Sequence, residues 1–427
     1  MDLAKLLSDP LGFIGGLLSD LLKGIGLPAP VTTVILMMIG VVVIGSFCLL
    51  LPLFLIWLER RLAARMQDRI GPNRVGPQGL LQTIADVLKL LTKEDITPIG
   101  ADRLVYNFAP ILAVVAVITM WAVIPFAHNI YGTDINVGAL YIVSVGSLGT
   151  LAIMLAGWSS NNKYALLGAF RTVAQLVSYE APMILSLLVP VLLARSMSVN
   201  EIVRQQPVIF FISAPIAALI FFATSIAEVG RTPFDLLEAE SEIVAGFHIE
   251  YSGMKFALFF AAEFMHAFTV GALTAVLFFG GWRGPFAEQF PVLGVAYFMG
   301  KAFVGYFVIV WIRMTLPRIR IDQMLDLNWK FLVPLSLAAI VFTLVADKLV
   351  PAGWSETNPW GRAGVLFLCN LLLAGLTFSL LSSSARRMRR AEKEREAAGR
   401  PPEVGLRGGE AAAHPAPVQG EAPVPAH

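Results

Sequence analysis

Between residues 227 and 251 the chain reads AEVGRTPFDLLEAESEIVAGFHIEY, which places Glu228, Asp235, Glu238, Glu240, Glu242 and Glu250 together with a single arginine, Arg231, and a single histidine, His248. The residues just before it, 208–227, carry no charge. Two further acids stand inside apolar runs: Glu180 in RTVAQLVSYEAPMILSLL and Glu263 in MKFALFFAAEFMHAFTV, with His266 three residues on. An ionisable group at membrane depth costs at least about 2.5 kcal/mol on insertion scales. A carboxyl group kept there despite that cost is suited to taking and releasing protons. The plain alternative is a protonated acid that only hydrogen-bonds a neighbouring helix. Two such acids, with Glu228 and Glu250 at span edges, favour a proton path. His266 alone reads as a satisfied core residue.

The acidic stretch itself reads as a short helix over TPFDLLEAESE. Thr232 is its N-cap, Pro233 its first residue and Asp235 an early acid. Glu238 and Glu242 then share a face and Glu240 points away. Like charges so spaced repel by a few tenths of a kcal/mol, so helix stability is not what the cluster serves. A solvated acidic loop accounts for Glu240 and less well for Glu228, which ends an uncharged run.

The elements that must position these groups follow from composition. Of 427 residues 56% are hydrophobic and 15% charged, against about 45–50% and 25% in soluble domains. Lipid is the indicated solvent, and the fold expected is an all-α polytopic membrane protein. About nine spans of roughly twenty apolar residues are predicted, at 31–58, 104–127, 138–158, 171–194, 208–228, 255–280, 294–314, 331–349 and 362–383. The net charge of +2 gives no case for nucleic acid. Cys48 and Cys369 are far apart and no CxxC pair exists. No metal or haem centre is expected from this chain.

Lys and Arg sort the loops. Loop one, 59–103, holds eight of them, from Arg60 to Arg103; loop five, 229–254, opens with Arg231; loop seven, 313–330, holds Arg313, Arg318, Arg320 and Lys330; RRMRR opens the tail. The opposite loops are poorer, so the rich side is read as cytoplasmic and the N-terminus as outside. Residues 1–30 read as a helix lying in the interface or, equally, a frayed terminus. The tail, 384–427, is rich in Ala, Pro, Glu and Gly and is expected to be disordered and cytoplasmic. No internal repeat or broken-helix ion site is evident, which weakens a transporter of inverted halves.

Loop one contains GPNRVGPQG, a Gly/Pro turn without phosphate-loop spacing. LLQTIADVLKLLTKE follows as an amphipathic surface helix whose polar face carries Asp86 and Lys89. Its arginines by themselves suit anchoring to anionic headgroups. Loop seven, with Asp322 and Asp326 beside a Pro break, reads as an ordinary turn.

Four stretches together carry a resemblance: residues 59–94, ERRLAARMQDRIGPNRVGPQGLLQTIADVLKLLTKE; 228–264, EVGRTPFDLLEAESEIVAGFHIEYSGMKFALFFAAEF; LPRIRIDQMLDLNWKFLVPL; and WSSNNKYALLGAFRTVAQLVSYE. From about residue 31 to 350 the chain resembles the H-subunit family of bacterial proton-translocating NADH:quinone oxidoreductase, respiratory complex I. The resemblance implies a membrane-arm component in the bacterial plasma membrane. With neighbouring soluble subunits it encloses a chamber for the headgroup of a quinone, menaquinone or ubiquinone. It adjoins antiporter-like membrane subunits, holds no covalent cofactor, and leaves iron–sulfur clusters, FMN and NADH to partner subunits. No complete active site is implied in this chain alone.

The same resemblance assigns Glu59, Arg60, Arg61, Arg69, Arg231, Asp235, Glu238, Glu240 and Glu242 to the quinone site. It assigns Glu180, Glu228, Glu250 and Glu263 to a proton path, and Asp86, Lys89, Glu94 and Arg171 to the junction of the arms. Some relatives carry a glutamate in the third span. Here GALYIVSVGSLGTLAIMLAGW has none, so that end of the path is expected to rely on water or a neighbour. Homologous membrane components of hydrogenase, formate- or F420-linked complexes share the buried acids and stay as an alternative. A stand-alone ion transporter is the alternative of another class.

Overall fold

The computed structural model describes residues 9–25, 27–235, 246–351 and 357–397, and among these every regular element is helical. In hydrocarbon each backbone polar group must be paired within the chain, which apolar helices achieve by themselves. Helix α1 is Pro10–Gly24, capped by Asp9; α2 is Ala29–Met66. After a short 3₁₀ turn at Pro77–Gly79 come α3, Gln82–Thr92, and α4, Arg103–Met120. Then follow α5, Gly138–Ser159; α6, Lys163–Ala194; and α7, Val199–Arg204. Next are the short α8, Phe210–Ser213, and α9, Pro215–Val229, and then a 3₁₀ turn at Gly246–His248. The chain closes with α10, Gly253–Phe278; α11, Pro291–Thr315; α12, Ile321–Leu327, which passes through a π-helical turn into α13, Val333–Leu349; and α14, Pro359–Ala397. By contacts the chain divides into a unit ending at Ala374 and a second from Gly375, whose described part is helical.

Among the described residues eight helices are long and apolar enough to cross a membrane. The fifth predicted span, 208–228, is built in two pieces. Pro215 has no N–H to give, and Ala214 leaves helical geometry at φ −141°, ψ 63°. This is a broken helix that the hydrophobic pattern does not reveal. The break frees backbone groups in apolar surroundings. Asn370, fully buried on α14, donates its amide to the Ser213 carbonyl at 3.1 Å. A helix from the end of the chain thus satisfies a gap near its middle.

Three other expectations change. Helix α2 runs eight residues past the predicted end of its span, so Glu59, Arg60 and Arg61 sit on a helix and not in a loop. Thr232 caps no helix: α9 ends at the left-handed Gly230, φ 74°, and 231–235 form a turn with a cis Thr232–Pro233 bond. Tertiary partners decide that turn. Gln175 donates to the carbonyls of Ala227 and Phe234 at 2.7 and 2.8 Å, and the Ile319 N–H bonds the Pro233 carbonyl at 3.0 Å. Residues 384–397, expected to lack structure, continue α14; Ala, Arg, Glu and Lys are strong helix formers. The remaining tail, 398–427, and residues 1–8 of the expected interfacial segment lie outside the described residues.

The amphipathic helix of loop one is present as α3, but Leu80, Leu81, Ile84, Leu88 and Leu91 lie on the outside of the chain. The largest buried side chains gather elsewhere. Trp121 stacks on Phe268 at 5.8 Å and donates its indole N–H to Thr269 at 2.8 Å.

Replacing Asn370 by Leu keeps the volume and strands the Ser213 carbonyl, a cost of about 1–3 kcal/mol. The thermal midpoint of the purified assembly is expected to fall by a few degrees, and Asn370→Gln to lose less. An unchanged midpoint for the leucine variant removes the capping role.

Candidate functional site

The ends of α2, α9 and α11 and the first half of α10 meet around one buried ion cluster. Glu59 is only 6% exposed. One of its oxygens accepts from Arg231 at 3.2 Å and from Arg313, and the other accepts from the Tyr306 hydroxyl at 3.0 Å. Arg231, 3% exposed, also places Nε 2.8 Å from a Glu263 oxygen, and its guanidinium lies 4.4 Å over the Phe264 ring. Two carboxylates and two guanidiniums thus balance within the protein. A charge this deep persists only when paired, because removing it from water costs several kcal/mol. Asp235, at the end of the described turn, lies within charge reach of Glu263.

Glu263, its side chain 25% exposed, also faces the other way, into a partly open cavity of about 100 Å³. Glu228, His248 and His266 share its wall. The rest of the lining is apolar or small, with Thr150 the other polar side chain. Helix α5 opens the space. A methyl group on Gly146 stands 3.1 Å from the Met120 side chain and 3.5 Å from a Glu228 oxygen, so any larger residue there crowds the carboxylate. The volume is enough for several waters, each needing about 10–15 Å³, and the carboxylates and imidazoles offer them partners.

The remaining predicted residues divide. Arg60 pairs with Asp86 at 2.6 Å, tying α2 to α3. Arg61 donates to the Gln78 side chain at 2.8 Å and lies over Trp57. Arg69 and Lys89 are exposed; Arg69 bonds Gln67 at 2.7 Å. The Glu94 carbonyl accepts from Ser252 at 3.2 Å, and Lys255 pairs with Asp95 at 2.9 Å, so loops one and five are stitched together. Arg171 lies eight residues inside α6, half-buried. Glu180 does not line the cavity but lies within charge reach of Glu228. Glu250 is not on the cavity wall either: Asn162 donates to it at 2.7 Å, and its backbone carbonyl accepts from Tyr106 at 2.7 Å. Glu238, Glu240 and Glu242 lie outside the described residues.

Three members of this site are not legible as such in the sequence. Arg313 reads there as part of an ordinary turn, and its position within the last turn of a span is the available signal. Tyr306 and the cavity-facing side of His266 have none beyond helical spacing from Arg313 and Glu263. Among the described residues no cluster of three or more His, Cys, Asp or Glu could hold a metal ion.

In the loop, burial pushes the His248 ring down to about 4 and the Tyr251 hydroxyl up to about 12, the latter against a weak opposing hydrogen bond with Ser159. His248 packs on Phe247 and Phe256, and Tyr251 stacks on Tyr106 at 4.1 Å.

Residues 38–344 match the family model described as NADH dehydrogenase. The chain is 50% identical to the H subunit of the NADH-quinone oxidoreductase of Dehalococcoides mccartyi (strain CBDB1) over 315 residues, which cover 74% of this chain and 88% of that one. It is 50% identical to the corresponding H subunit of Geobacillus kaustophilus (strain HTA426) over 289 residues, 67% of this chain and 86% of that one. To the H subunit of Vesicomyosocius okutanii it is 42% identical over 337 residues, 75% and 92% of the two chains.

Arg231→Met removes one charge from a buried cluster and leaves carboxylates uncompensated, at about 3–5 kcal/mol. The amount of folded chain in membranes is expected to drop severely, and pairing the change with Glu59→Gln to restore part of it. An undiminished amount in the single variant contradicts the cluster's structural weight. His248 gives a pH test. Its folded ring binds its proton less readily than the unfolded one, whose pKa is about 6.5. Stability is therefore full above about 6.5 and falls as pH drops toward 4. His248→Phe should flatten that slope in a thermal-midpoint series.

Proposed function

The chain belongs to the NADH dehydrogenase family, within which its relatives are the H subunits of NADH-quinone oxidoreductase, and from that premise we propose how its geometry serves the complex. It is a polytopic membrane protein and acts as an enzyme only within the assembly. The proposal is that its loop-bearing end forms the lipid-side opening and part of the wall of a quinone chamber completed by soluble partners, and that its buried acids couple quinone reduction to proton movement toward antiporter-like membrane partners.

The observation that carries this reading is Glu263, which is shared between two environments. One face belongs to the Arg231–Glu59–Arg313 cluster at the base of loop five, and the other to the cavity that holds Glu228. A quinone takes up two electrons and two protons to become a quinol. Charge and protons consumed beside loop five act on Arg231 and Asp235 first. Any change there alters the balance felt by Glu263, and through the cavity that of Glu228 and Glu180. Acids this close titrate as a set, so a local event is passed on as a shift of the whole group. Glu59, Arg60, Arg61 and Arg69 line the approach, and Glu238, Glu240 and Glu242 complete the acidic loop. Asp86, Lys89, Glu94 and Arg171 support the junction with the soluble arm, with the outer apolar side of α3 against the membrane surface or that arm. The arginine-rich side faces the cytoplasm of a bacterial plasma membrane, with the N-terminus outside.

The test is purification of the intact assembly through a tag on this chain, with NADH oxidation measured using a short-chain quinone. Quinone-site inhibitors should abolish the activity. Glu228→Gln and Glu180→Gln should assemble and lose about an order of magnitude or more of coupled turnover. Wild-type turnover and proton pumping in both variants would refute the path.

A further inference from the structure

We infer that His266 is a proton-relay residue of this partly open cavity, passing protons between the carboxylates at its loop end and the part of the space against α4 and α5. This rests on the proposed proton path and deepens it. Four titratable side chains face the cavity, and their order along the helices is definite. His248 lies in the loop, Glu228 near the loop end of α9, and Glu263 in α10; His266 is three residues further along α10, away from the loop. Residues so spaced lie on one helical face, about 5–6 Å apart at Cβ, and both reach the same cavity. His266 is thus the titratable group of α10 on its wall that lies further from the loop.

The far side of that space is where a relay is needed. α4 and α5 present Val117, Gly146, Gly149 and the Thr150 hydroxyl, with no group that titrates, and α6 presents Leu176. From every element packed around the cavity, the ionisable groups facing His266 are therefore Glu263 on its own helix, Glu228 on α9 and His248 in the loop. Among the described residues no hydrogen bond ties either nitrogen of His266 in place. A core histidine kept for packing spends at least one nitrogen on a fixed partner. A ring on the cavity wall without such a partner has its nitrogens available for transfer.

The step balances without electrons. A carboxylic acid of Glu263 or Glu228 gives its proton, through one water, to the acceptor nitrogen of the neutral ring. The imidazolium then releases the proton from its other nitrogen to water beside Gly146 and Thr150. The ring returns to neutral as the other tautomer, and rotation or the reverse step resets it.

The experiment uses the intact enzyme in sealed vesicles, with His266→Asn, His266→Leu and Glu228→Gln. Yield of assembled complex is recorded alongside coupled NADH:quinone turnover, protons moved per NADH and the pH profile. Asparagine keeps polarity and comparable size but cannot carry a proton. His266→Asn should assemble normally, lose about tenfold in coupled turnover, move fewer protons per NADH and change the pH profile. Asparagine with wild-type turnover, proton ratio and profile overturns the relay, as does lower turnover with the ratio and profile unchanged, which marks a packing role. If Glu228→Gln is impaired while His266→Asn is not, only the relay falls. If both behave as wild type, the proton path falls with it. Failure of His266→Leu alone to assemble leaves the asparagine result to decide.

Discussion

The contact between Arg231 and Glu59 joins residues far apart in the chain inside a structure built for lipid. Neither charge can be left alone there. Once Glu59 is turned inward on α2, Arg231 must meet it, and the turn after α9 must bend to let it. Arg313 and Tyr306 on α11 then bind Glu59, and Glu263 on α10 pairs with Arg231. Four helices are fixed at one end by this requirement. Replacing such a cluster by apolar side chains can leave a protein equally stable or more so. Its retention here fits an electrical task better than a purely mechanical one.

The cavity is the counterpart of that cluster. On the α5 side Gly146 and Gly149 leave room in it, and a methyl group at Gly146 would stand 3.5 Å from a Glu228 oxygen. Asn370 on the last membrane helix closes the gap left by the break at Ala214. A helix beyond residues 38–344, the stretch matched by the family model, therefore supports the element that carries Glu228. The two regions meet at one side chain, Glu263, which is why a charge balanced in the cluster is also felt in the cavity.

The described parts of loops one, five and seven are held by contacts with other segments. Ser252 and Lys255 bind loop one and Ile319 bonds Pro233; Tyr179 on α6 donates to the Met324 carbonyl in α12 at 2.9 Å, and Asn328 in the π-helical turn donates to the Ser178 carbonyl of α6 at 2.6 Å. Groups in these loops therefore have positions set by the bundle behind them.

The solvent, the helical class, nearly every span and the acids that lie where acids are costly are all legible in the order of residues, because hydrophobic runs and isolated charges are local properties that lipid reads directly. Glu263 and Glu228 stand out on that ground alone. Which charge meets which is not legible there. Arg313 reads as a loop residue until Glu59 faces it. His266 reads as core until the space in front of it is seen. Glu250 belongs by its motif to the path, yet it is tied by Asn162 outside the cavity. Thr232 and Pro233 have the local chemistry of a helix start, and Gln175 and Ile319, distant in the chain, make a turn of them. Pairing of buried charges, the shape of a void and the course of a loop depend on which helices are neighbours, and that is fixed only when the whole chain packs.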